Sequence, residues 1–115
     1  MKKFIAFLSA ALICININLS SLAMAADEEP ATYVVDQKDK QFSKTYVKLR
    51  VGGSIDFRNS DPWMHNVFSL SDTHSFDLGS YPKPQAKRVV FDKPGKVDVE
   101  CAIHPQMHMV VEVAK

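Results

Sequence analysis

The stretch Lys96-Val97-Asp98-Val99-Glu100-Cys101-Ala102-Ile103-His104-Pro105-Gln106-Met107 decides how the rest of the chain is read. Its first half alternates: Val97, Val99 and Cys101 fall on one face of an extended strand, Asp98 and Glu100 on the other. The thiol of Cys101 therefore points into an interior, close to its rim. Working outward, the same two-residue period recurs in short segments. Val47, Leu49 and Val51 alternate with Lys48 and Arg50 before a Gly52-Gly53 turn, and Ile55 and Phe57 then face the core. Thr32 to Val35, Asn66 to Leu70, Arg88 to Phe91 and Met109 to Val113 also read as strands. Asn59-Ser60-Asp61-Pro62 is a turn, Pro94-Gly95 reads as a hairpin turn, and Ser71 to Lys87 reads as loop with a short strand near Phe76 to Leu78. The pattern predicts an all-β Greek-key sandwich or barrel of about seven strands.

Length and charge limit the options. Met1-Lys2-Lys3, the mostly apolar run from Phe4 to Leu22 and Ala23-Met24-Ala25 have the three parts of a secretory leader, cleaved near Ala25. Asn16, Asn18, Ser20 and Ser21 interrupt the run and argue against a stable membrane span. The expected organisation is a leader over 1–25 and one domain over 26–115, periplasmic and monomeric, since 90 residues suffice for one core and not for two. Of the 14 Lys and Arg, Lys2 and Lys3 leave with the leader, so 12 face 13 Asp and Glu and the formal charge moves from +1 to −1. That balance offers no footprint for nucleic acid. The lysine-rich segments Lys38 to Lys44 and Lys83 to Arg88 each read as solvated surface.

Cleavage also removes Cys14, leaving Cys101 as the sole cysteine of the mature chain. An unpaired cysteine in an exported domain is an intermolecular bridge, a reactive thiol or a metal ligand. The neighbours of Cys101 choose among these. A thiolate, an imidazole and a thioether lie within the seven residues from Cys101 to Met107, with His104 between them. Thiolate and thioether favour Cu(I), imidazole suits either oxidation state, and two histidines with one cysteine and a distant methionine make an electron-transfer copper site. His65, at a loop end immediately before a strand, is the candidate for the second histidine. His74 and His108 have no place in a four-ligand set and are expected at the surface. Asn66 is expected to hydrogen-bond across to the cysteine loop, and Trp63 and Met64 are read either as an apolar collar or as ordinary loop packing.

These residues resemble the plastocyanin and amicyanin group of cupredoxins. Phe57-Arg58-Asn59 followed by His65-Asn66-Val67 matches the family's first histidine step, and Cys101, His104, Pro105 and Met107 match its Cys-x-x-His-Pro-x-Met loop. Val89-Val90-Phe91-Asp92-Lys93-Pro94-Gly95 resembles the segment that leads into the cysteine strand, so the likeness spans roughly Lys44 to Val113. The resemblance implies a cupredoxin fold and one copper ion cycling between Cu(I) and Cu(II), held by His65, Cys101, His104 and Met107. It also implies electron exchange with redox partner proteins that dock transiently near His104 and Pro105, and no enzymatic activity. Carriage of Cu(I), aided by the Met107-His108-Met109 cluster, is the alternative function. Two positions depart from the pattern. Glu100 stands where many members carry an aromatic residue before the cysteine, and Met109 sits at the plastocyanin spacing while Met107 sits at the amicyanin one. Met107 is the expected axial ligand, because Met109 runs straight into the strand Val110-Val111-Glu112-Val113.

Overall fold

Two sheets form because the apolar residues of most strands occupy every second position, and each sheet can bury its apolar face only against the other. The computed structural model describes residues 30–115. The expected leader over 1–25 and Cys14 lie outside the described residues. Nine strands follow in order: β1 (Thr32–Lys38), β2 (Gln41–Phe42), β3 (Tyr46–Arg50), β4 (Ser54–Asn59), β5 (His65–Ser71), β6 (His74–Tyr81), β7 (Ala86–Val90), β8 (Gly95–Glu100) and β9 (His108–Ala114). One sheet has the order β2-β1-β4-β7 and the other β3-β9-β8-β5-β6. Within them β1 runs parallel to β4 and β3 parallel to β9, while the remaining pairs are antiparallel. The all-β sandwich expected from the alternation is present, and among the described residues no helix is long and apolar enough to cross a membrane.

Val35, Ile55, Phe57 and Val89 of the first sheet meet Val47, Leu49, Val67, Val97, Val99, Val111 and Val113 of the second. Each such side chain, taken fully out of water, contributes about 1.5–3 kcal/mol. The alternation read at Val97, Val99 and Cys101 holds, for all three are buried.

Two expectations are corrected. The described residues make nine strands against the expected seven or so, because Gln41–Phe42 adds a two-residue edge and His74–Tyr81 of the expected loop forms β6. β6 is an edge strand paired with β5 through a bulge between Asn66 and Phe68, and its ladder extends the short strand expected near Phe76 to Leu78 to His74 and Ser75 on one side and to Ser80 and Tyr81 on the other. Pro94-Gly95 is not a hairpin turn either: β7 belongs to the first sheet and β8 to the second, so the chain crosses between layers there. Gly95 has φ 136°, and a Cβ on it would stand 2.8 Å from Thr73 Cγ2, so glycine is required at the crossing.

Candidate metal centre

Four loops meet at one end of the sandwich, and backbone and side-chain hydrogen bonds lock them together. Asn59, fully buried at the end of β4, does most of this. Its amide donates to the Gln85 carbonyl (3.0 Å), its Nδ2 donates to the carbonyls of Trp63 (2.8 Å) and Tyr81 (2.9 Å), and its Oδ1 accepts the Asp61 amide (2.8 Å). The loop of residues 60–64 is thereby held at a fixed angle, and His65 enters β5 with its ring directed inward and fully buried.

Across from His65, Cys101 directly follows β8 with 2 % of its surface exposed. The Cys101 amide donates to the Met107 carbonyl (3.3 Å) and the Met107 amide to the His104 carbonyl (2.9 Å), closing the loop on itself. His104 consequently leans back over Cys101. Cys101 Sγ lies 3.8 Å from His65 Nδ1 and 3.9 Å from His104 Nδ1, and the three donor atoms all fall within 4.8 Å of one another. First-row metal bonds of about 2.0–2.1 Å to nitrogen and about 2.3 Å to sulfur, spread trigonally, require a nitrogen–sulfur separation of about 3.8 Å. The cluster fits one ion.

Met107 is level with Cys101. β8 and β9 pair Glu100 with His108 and Val99 with Met109, so continuing the ladder sets Met107 opposite Cys101 and Met109 one pleat deeper, about 7 Å along the strand. Both methionines are buried, at 1 % and 0 % exposure.

Behind His65 stands a residue that sequence reading assigned only to a turn. The Nε2–H of His65 donates to Asp61 Oδ2 (2.6 Å), and this carboxylate also accepts the amides of Asp39 (2.8 Å) and Lys40 (3.2 Å) from the β1–β2 turn. Burial, the largest single influence, pushes the Asp61 carboxyl up, but the bonds from His65, Asp39 and Lys40 outweigh it and hold the group below the usual carboxylate range. A carboxylate there fixes the hydrogen on Nε2 and leaves Nδ1 free to face Cys101. The available signal was a carboxylate four residues before His65, hidden inside a run that already explained itself as a turn. On the other histidine, burial first, then the charges of His65 and Lys40, keep the His104 imidazole below its ordinary value against an opposing pull from Asp61.

Other residues fall differently from expectation. Asn66 does not reach the cysteine loop: its Nδ2 contacts Asp77 Oδ1 at 3.4 Å. Trp63 and Met64 face solvent, with Lys40 Nζ 5.4 Å from the Trp63 ring centroid. His108 is at the surface as expected, 3.1 Å from Asp98, but His74 is packed on Phe76 and Phe91 near the opposite end, because the β6 edge folds its ring over the apolar rim.

No family model matches the chain. The methylamine utilization protein MauL of Methylorubrum extorquens is 33% identical over 96 residues, spanning 82% of this chain and 80% of the relative. Among solved structures, amicyanin in a Cu(I) form superposes with a TM-score of 0.67 at 24% identity over 71% of this chain and 81% of amicyanin, and a reduced form gives 0.66 at 25% identity. A copper-containing nitrite reductase from Thermus scotoductus gives 0.68 at 21% identity over 73% of this chain. The chain spans only 22% of that reductase, so the likeness there is one of fold. Relatedness to MauL over most of both chains, on a fold shared with amicyanin, means that this chain belongs to the amicyanin-like cupredoxins.

Proposed function

We propose that the protein carries single electrons through one copper ion bound by His65, Cys101 and His104, with Met107 as a weak axial ligand. The observation that carries this reading is the separation of the three donors, 3.8 and 3.9 Å about one thiol. A bound copper ion would supply the Cu(I)/Cu(II) couple. The chain's own residues do the rest: Asp61 orients His65, the Met107–His104 backbone bond holds the loop closed, and the buried walls keep water from Cys101. A framework fixed by both sheets moves little between oxidation states, which keeps reorganisation small.

Electrons would pass through the edge of His104, the one partly exposed donor, with Ala102, Ile103 and Pro105 exposed beside it as the surface that partners touch transiently. Likeness to amicyanin supports an electron carrier without enzymatic activity. The reading extends to a leader over 1–25, a single monomeric domain over 26–115 and a periplasmic redox chain, supported by the basic, apolar and small-residue segments of the first residues.

The test is the visible spectrum of residues 26–115 after addition of Cu(II). Strong absorption near the red end, bleached by a reductant and absent in Cys101→Ser, is expected. Tight, stoichiometric copper uptake without colour would replace electron transfer by Cu(I) carriage.

A further inference from the structure

Two lysine-rich segments that read separately as solvated surface converge on the end of the sandwich that holds the His65, Cys101 and His104 cluster. Lys38 closes β1 and Lys40 sits in the β1–β2 turn, whose amides bond Asp61; Lys83 lies in the loop after β6, whose Gln85 carbonyl bonds Asn59. All three lysines are exposed. Arg58 forks onto Asp36, Arg88 onto Asp56, Lys87 donates to the Leu78 carbonyl, and Lys44 lies over the Tyr33 ring, with its Nζ 5.2 Å from the centroid.

The anions are distributed differently. Asp61 is buried and saturated with donors, so Asp39 is the exposed carboxylate of this flank, while Glu100 and Asp77 project from the outer face of the second sheet. Trp63, Met64 and Ile103, each 40–50% exposed, stand on the loops of this same end, with the lysines on the first-sheet side, whereas Glu100 and Asp77 lie opposite Phe68, farther down the second sheet. Lys40 joins charge to patch: its ammonium lies over the exposed Trp63 ring.

We propose that this face docks a redox protein bearing an acidic patch, with Lys40 over Trp63 as the point where charge recognition and apolar contact meet. The proposal rests on the electron-transfer reading above and adds the partner's chemistry and orientation to it. Rim charges of this kind steer encounter and set register while leaving the apolar centre to make contact, which suits a short-lived complex. Three lysines give an anionic bilayer an affinity on the order of millimolar or weaker, so a protein is favoured over a membrane.

The experiment is stopped-flow electron exchange between the copper-loaded protein and two c-type cytochromes, one acidic and one basic. Ionic strength is raised from about 10 mM to about 150 mM, over which the Debye length shrinks from about 30 Å to about 8 Å. The acidic cytochrome should react faster, its rate falling about tenfold with salt, and the basic one slower, its rate rising. Lys40→Glu should lower the acidic cytochrome's rate about tenfold at low salt with the copper absorption intact, while Lys93→Glu at the opposite end changes neither rate. Equal, salt-independent rates with both cytochromes would overturn the acidic partner and leave electron transfer standing. No exchange with either would remove the electron-transfer reading and the proposal with it. Lys40-dependent sedimentation with phosphatidylserine vesicles at physiological salt would reassign the patch to a membrane.

Discussion

Asp61→Asn replaces an oxygen by an NH2 group in a site built for two acceptors. Three donors converge on the carboxylate: Asp39 N on Oδ1, and Lys40 N and His65 Nε2 on Oδ2. With its amide oxygen toward His65, the asparagine turns its NH2 against the Asp39 amide. In the opposite orientation the NH2 meets His65, which can accept it only by moving its own hydrogen to Nδ1, the nitrogen 3.8 Å from Cys101 Sγ. A charge-assisted bond worth about 1.5–3 kcal/mol becomes a neutral one worth about 0.5–1.5, and one donor loses its partner. The turn amide can recover water but the fully buried His65 cannot, so the net loss is about 2 kcal/mol. For a domain of this size that lowers the melting temperature of the copper-free protein by about 8–16 °C. Trp63, the sole tryptophan, reports the transition. The wrong tautomer also blocks a ligand position, so copper affinity should fall about 10–100-fold in competition with a chelator. The nitrogen shifts of the His65 ring would show the hydrogen on Nδ1. An unchanged melting temperature together with copper affinity within twofold of the parent would refute the assignment of Asp61 as the residue that orients His65.

Met107→Leu should alter the reduction potential and visible spectrum of the loaded protein. Met109→Leu, one pleat deeper and opposite Val99, should leave both unchanged and cost less than about 1.5 kcal/mol in urea unfolding; the reverse pattern would transfer the axial role to Met109. Tyr81 is raised by burial first and then by the charge of Cys101, so its hydroxyl stays protonated, donating to the Phe57 carbonyl (2.9 Å) and accepting from Gln37 Nε2 (3.4 Å). Tyr81→Phe strands the buried Gln37 and should destabilise the domain by about 1–3 kcal/mol, measured by urea unfolding. Finally, the hydrogen bonds from Arg58 and Arg88 hold Asp36 and Asp56 below their ordinary value of 3.8. Because the folded values are the depressed ones, the stability they add is present above that value and is lost as pH falls through and below it. Replacing both by Asn should lower the stability at neutral pH and leave the acid end nearly unchanged, so that the acid limb of a stability-versus-pH curve flattens.

The alternation of Val47, Leu49 and Val51, of Val97, Val99 and Cys101, and of the β9 valines is local information: a strand's two faces are written every second residue. It determined an all-β sandwich and the inward direction of Cys101. The short spacing from Cys101 to His104 and Met107 likewise confined three donors to one loop wherever the chain took them, and His65 was legible as a histidine at a loop end. What only the tertiary structure decided concerns groups far apart in sequence or residues with two local meanings. β6 forms at a sheet edge because β5 offers it a ladder, which no composition rule encodes. The Pro94-Gly95 turn carries no information about which layer receives the next strand. Asp61 satisfies a turn signal as well as it satisfies His65, so its second role emerges only when β4 and β5 are in place. Lys40 and Lys83, 43 positions apart, become one basic flank because the ladder from β1 through β4 brings their loops to the same end. Periodicity is set by each strand's own backbone, whereas the neighbours of a side chain are set by how the sheets close.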